Sequence, residues 1–125
     1  MYAYHETNGS TSFKRYCKTL ELKNDPALIA EYKKAHSQGS AWIEISQGMI
    51  DVGIIDMEIY IVGTRLFMIM DTLAEFNHDM AMAALAMKPR QSEWETFVSK
   101  YQKTSAESNA SEKWILLDRI YKLGE

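Results

Sequence analysis

The chain lacks the residue patterns that staple a protein, anchor it in a bilayer or give it a basic face. Among 125 residues there is one cysteine, Cys17. A lone thiol closes no disulfide within the chain, and it lies in a strand-like stretch, which fits a buried thiol in a reducing cytoplasm. No glycine-rich phosphate loop is present: Gly39, Gly48, Gly53 and Gly63 stand apart and read as turns or caps. No apolar stretch approaches the roughly 20 residues that span a bilayer, and the N-terminus does not have the layout of a signal peptide. Fourteen basic against seventeen acidic residues leave a net charge of −3, with basic runs no longer than Lys33-Lys34. Nucleic-acid binders carry a clustered positive face, so that partner is not expected. The three histidines, His5, His36 and His78, include no two at ligand spacing on one element, so no metal is expected. Asn77-His78-Asp79 opens a helix, where Asn and Asp act as caps and dipole partners.

What the chain does have is apolar content of 46%, enough for one compact domain with a single core. Residues 1–12, rich in Tyr, Ser, Thr and Asn and without periodicity, read as an extended or mobile arm. The domain proper is expected over 13–125. Eight methionines scattered through the core elements read as plastic packing.

Phe13 to Lys23 alternates as a first strand, with Tyr16, Lys18 and Leu20 on one side. Asp25-Pro26 starts a helix, a capping residue followed by proline at the first helical position. That helix carries Leu28, Ile29, Tyr32 and His36. A second helical piece places Trp42, Ile45, Met49 and Val52 on one face and closes at Gly53. Ile54 to Val62 and Leu66 to Asp71 form a hairpin about Gly63-Thr64, with Ile55, Met57, Ile59 and Ile61 on one face. Helical patterns follow over Phe76 to Met87 and Gln91 to Tyr101, divided by Lys88-Pro89. Thr104 to Ser111 reads as a loop, and Lys113 to Leu123 as a last strand. The order is β-α-β-β-α-β with broken helices, the α+β ferredoxin-like arrangement. Helices on one face of such a sheet leave the other face in need of a cover, and a homodimer supplies it.

Tyr32 and His36 are the residues most suited to chemistry. A spacing of four puts a phenol and an imidazole one turn apart on the helix face that also carries Leu28. Plain packing explains such a pair too. With Trp42, Trp94 and the carboxylates Asp56, Glu58 and Asp71 near by in this layout, the pair also suits a sugar pocket. There an aromatic meets the apolar C–H face of the ring and polar groups meet its rim.

In these residues the sequence resembles the L-rhamnose mutarotases, small sugar 1-epimerases. The likeness runs from about Phe13 to Leu123. It rests on Glu31-Tyr32-x-x-x-His36, Trp42-Ile43-Glu44, Met57-Glu58-Ile59-Tyr60, Leu66-Phe67, Trp94 and Ile120-Tyr121-Lys122-Leu123. The resemblance implies a dimeric α/β-barrel of ferredoxin-like subunits, His36 as the proton donor and Tyr32 as a sugar contact. Two positions depart from the family pattern. Met57 stands where a sugar-contacting tyrosine is expected, and Glu93-Trp94 where a tandem tryptophan pair is expected.

The expected activity is interconversion of the α and β anomers of L-rhamnose or L-fucose by acid–base catalysis, without metal or cofactor. Histidine suits it because its ordinary pKa of about 6.5 keeps both forms populated near neutrality. Trp42, Met57, Glu93, Trp94 and Asp71 are the expected sugar contacts. Two other classes share the fold logic: a haem-binding or monooxygenase-type dimer, with the helix histidine on iron, and a non-catalytic sugar-binding dimer.

Overall fold

The computed structural model describes residues 4–8, 11–37, 42–104 and 109–124. Its strands are β1 (Tyr4–Asn8), β2 (Thr11–Glu21), β3 (Ile54–Val62), β4 (Arg65–Leu73) and β5 (Ile115–Leu116). The helices are α1 (Pro26–Ala35), α2 (Ile43–Asp51), α3 (His78–Ala86), α4 (Gln91–Ser99) and α5 (Ala110–Lys113). The sheet is antiparallel in the order β1-β2-β4-β3, with β5 also on β2. Without β1, this is the split β-α-β order of a ferredoxin-like subunit: the last strand beside the first, and the hairpin on the other side.

Local chemistry explains the helix boundaries. The Asp25 carboxylate accepts from the backbone N–H groups of Ala27 and Leu28, and Pro26 opens α1 where no N–H is needed. Asn77 caps α3 through Met80 N–H. Between α3 and α4, Arg90 takes a left-handed conformation at φ 64°, which turns the chain after Lys88-Pro89.

Alternation sorts the sheet into two faces. Tyr16, Lys18 and Leu20 of β2 and Leu66, Met68, Met70 and Thr72 of β4 are buried on the helix-covered side. On the open side lie half-buried Phe13, Cys17, Phe67 and Ile69, with Tyr60 and Val62 exposed. Two cross-strand ion pairs join that face, Arg15–Asp71 at 2.7 Å and Arg65–Glu21 at 3.0 Å.

Three sequence expectations are corrected. Ile55 does not share the inner face of Met57, Ile59 and Ile61. A register shift between Ile54 and Asp56 inserts it as an extra residue, and it is 52% exposed. The expected last strand, Lys113 to Leu123, shrinks to Ile115–Leu116, with one further bond from Leu117 N–H to the Cys17 carbonyl. Lys113 itself belongs to α5. The reason lies at the other end of the chain. β1 pairs with β2 from Thr11 to Arg15 and so holds the edge that a longer β5 would use. Residues 4–8, expected within the arm, are therefore a strand of this sheet, and β2 begins at Thr11, two residues before the expected Phe13.

Candidate active site

A cavity of about 360 Å³ lies between the covered face of the sheet and the helices. Its floor is the inner face of β2, β3 and β4, where Met57, Ile59, Met68 and Met70 flank Lys18. Its walls come from α1, α2, α3 and α4, with Ala110 of α5. Tyr32, His36, Trp42, Trp94 and Met57 all line it, so the structure brings together five of the seven expected site residues.

The other two lie elsewhere. Asp71 is on the opposite face of the sheet, bound by the Arg15 guanidinium at 2.7 and 3.0 Å. A strand sends successive side chains to opposite faces, so Asp71 is turned away while its neighbours Met70 and Thr72 point inward. Glu93 sits on the outer face of α4 and takes the Arg90 guanidinium at 2.9 and 3.1 Å. Arg90 in turn stacks over Trp42 at 4.3 Å from the ring centroid, so Glu93 borders the site only through that arginine.

Helix α1 positions the expected proton-transfer pair. The rings of Tyr32 and His36 are 4.3 Å apart, and His36 meets the edge of Trp94 at 5.3 Å. Trp94 packs edge-on to Trp42 at 5.2 Å, which makes one continuous aromatic wall. His36 Nδ1 lies 2.9 Å from the Tyr32 carbonyl oxygen. A carbonyl only accepts, so Nδ1 carries the proton and the neutral ring keeps its lone pair on Nε2. Burial of the ring lowers the His36 pKa below the ordinary value, and the carbonyl hydrogen bond offsets this only in part. The residue as a whole remains exposed, which puts it at the cavity opening.

Tyr32 is buried, and burial drives its phenol pKa well above the ordinary range, against the pull of a hydrogen bond from Gln102. It is therefore a neutral hydroxyl at any physiological pH. On the far wall, Glu95 accepts from Gln91 Nε2 at 2.7 Å and pairs with Lys113 Nζ at 2.9 Å. Lys113 also donates to the Glu95 backbone carbonyl at 2.7 Å. Among the described residues no three His, Cys, Asp or Glu side chains group as metal ligands.

Sequence reasoning missed Lys18, Gln91, Glu95 and Gln102 as cavity residues. A signal existed for two elements. Lys18 shares its strand face with Tyr16 and Leu20, while Gln91, Glu95 and Val98 share the stripe of Trp94 on α4. Polar side chains on an apolar stripe mark either a buried network or a site.

A family model described as L-rhamnose mutarotase matches residues 15–123. The chain belongs to the L-rhamnose mutarotase family. It is 34% identical over 114 residues to an L-fucose mutarotase of Xanthomonas campestris, covering 91% of each protein. A UPF0734 protein of Dictyostelium discoideum is 32% identical over 118 residues, covering 91% of this chain and 93% of that protein. The L-rhamnose mutarotase of Formosa agariphila has the same fold, with a TM-score of 0.65 at 20% identity over 87% of this chain and 97% of that one. The ferredoxin-like fold and the isomerase class expected from the sequence both stand. For a mutarotase, a cavity combining an aromatic wall, an apolar floor and a proton-active imidazole is chemically apt.

Proposed function

We propose that this chain interconverts the α and β anomers of a 6-deoxy-L-sugar, L-rhamnose or L-fucose, with His36 moving the proton. The observation that carries the reading is the Nδ1 hydrogen bond to the Tyr32 carbonyl, which leaves Nε2 of a neutral imidazole as the acceptor beside the cavity. Ring opening breaks C1–O5, forms the C1=O1 double bond, removes a proton from O1 and adds one to O5. Both oxygens sit on the same carbon. One imidazole nitrogen can therefore take the proton from O1 and deliver it to O5 as an imidazolium. The low pKa of His36 favours that delivery. This sequence keeps His36 as the donor to the ring oxygen and adds that it is first the base.

Tyr32, held by Gln102, supplies a fixed neutral hydroxyl to orient the sugar. Trp42 and Trp94 offer a platform for the C–H face, and the Met57 end of the floor receives the sugar's apolar methyl group. The roughly 10²–10⁴-fold typical of positioned acid–base groups suffices for a reaction that already proceeds unaided, so the reading calls for no cofactor. We place the enzyme in the cytoplasm, consistent with its single thiol. We also read it as a homodimer joined across the open sheet face, where Phe13, Phe67 and Ile69 are only half covered; light scattering after gel filtration measures this.

Saturation-transfer NMR of anomer exchange on L-rhamnose and L-fucose tests the reaction. Exchange by the native protein that is lost in His36→Ala supports the assignment. Equal rates for native and variant remove His36 from the mechanism.

A further inference from the structure

Among the described residues two lysines are buried, Lys18 and Lys113, and of these Lys113 has a partner there. Lys113 is 4% exposed and held by the Glu95 carboxylate at 2.9 Å and the Glu95 carbonyl at 2.7 Å. Lys18 is 1% exposed, and among the described residues nothing accepts a hydrogen bond from its Nζ or forms an ion pair with it. The groups coupled to it electrostatically, His78 and Asp79, lie at the start of α3 and act only through space, while Tyr32, His36 and Glu95 line the same cavity. The side chain of Asp79 is 88% exposed, so solvent screens it. Lys18 faces the cavity, directly opposite Met68 of the neighbouring strand.

An ammonium has three donors and no acceptor capacity, and leaving it without partners in an apolar floor is costly. A methionine would fit the same strand position among its methionine neighbours without that cost. The acceptor missing among the described residues is one that a ligand filling the cavity can supply. A monosaccharide presents an oxygen on nearly every carbon, so it is chemically matched to such a donor. Resting on the mutarotase reading above, we propose that Lys18 is a specificity-determining residue whose side-chain nitrogen donates a hydrogen bond to one hydroxyl oxygen of the bound sugar. Its role is to select among sugars by where that oxygen stands, while His36 moves the proton.

The test combines Lys18→Met with L-rhamnose, L-fucose and their singly deoxygenated analogues in the anomer-exchange assay. In the native enzyme, the analogue lacking the hydroxyl that Lys18 reads should lose about ten- to hundredfold in kcat/KM, mostly through KM. Lys18→Met should lose a similar factor on the parent sugar and no longer distinguish it from that analogue, because removing either partner removes the same bond. The variant should also melt at a higher temperature than the native protein, which a merely structural lysine would not permit. Lys18→Gln, a shorter neutral donor, should restore part of the discrimination. The inference is overturned if folded Lys18→Met keeps native efficiency, or loses activity while ranking the analogues as the native enzyme does. If the native protein accelerates no exchange, the mutarotase reading fails by itself. Stabilisation of the fold by added sugar then decides Lys18 separately: loss of that stabilisation in Lys18→Met supports it, and equal stabilisation overturns it.

Discussion

His36 donates its Nδ1 proton to the carbonyl oxygen of Tyr32, the residue one turn earlier on the same helix, across 2.9 Å. That bond sets the tautomer, and with burial of the ring it sets the pH at which His36 is ready to accept a proton. Because the His36 pKa lies below the ordinary 6.5, the neutral ring persists into mildly acidic solution. The acid limb of kcat/KM for anomer exchange should fall at a pH below 6.5. His36→Ala should lower the rate by about 10²–10⁴-fold and abolish the limb. A limb that survives the substitution belongs to another group.

Lys18 makes a prediction about stability. Its pKa falls from 10.5 to about 8, chiefly by burial. Between pH 8 and 10.5 the unfolded chain holds a proton that the folded chain has released, so native stability rises with pH across that window. Below pH 8 the full cost of the buried charge is present. Lys18→Met should therefore be the more stable protein at pH 7, by up to about 3 kcal/mol, and the gap should close as pH rises from 8 to 10.5. Urea denaturation of both proteins at a series of pH values measures it.

The Glu95–Lys113 pair ties α4 to α5 across one wall of the cavity and is buried on both sides. Truncating one partner leaves an uncompensated buried charge. Glu95→Leu or Lys113→Met alone should cost about 3–5 kcal/mol, while the double substitution should recover most of that loss. A double-mutant cycle by thermal or urea unfolding gives the coupling directly.

Asp71 and Glu93 should be bystanders in sugar turnover. The first pairs with Arg15 on the far face of the sheet, and the second with Arg90 on the outside of α4. Asp71→Asn and Glu93→Gln should each leave KM for the sugar within about twofold of native, and Glu93→Gln should cost less than about 1 kcal/mol, as exposed ion pairs do. A large KM effect in either variant would place that carboxylate at the substrate.

Much of the fold is legible in the sequence because alternation and capping are local signals. Asp25-Pro26 marks α1, Lys88-Pro89 divides α3 from α4, and the period-two pattern of Tyr16, Lys18 and Leu20 survives intact in β2. The Tyr32–His36 pair is legible for the same reason, being set by one turn of helix. What fails depends on residues far apart in sequence. The short β5 follows from competition with β1 for one edge of β2, and the exposed Ile55 follows from how β3 pairs with β4. Asp71 reads as near the site because the hairpin is near it, yet one step along β4 separates inside from outside. Glu95 is missed because its partner Lys113 lies 18 residues on, across a loop whose path the sequence pattern does not specify.

Met49, Met57, Met68, Met70 and Met82 all line the cavity, and this makes the site vulnerable to peroxide. A thioether accepts an oxygen atom readily, and the resulting sulfoxide places a polar, chiral group where an apolar surface is needed. Met49 and Met57 are half-buried and within reach of an oxidant, whereas Met70 is fully enclosed. Mild oxidation should therefore silence turnover while the far-ultraviolet circular dichroism stays native, and methionine sulfoxide reductase should restore it.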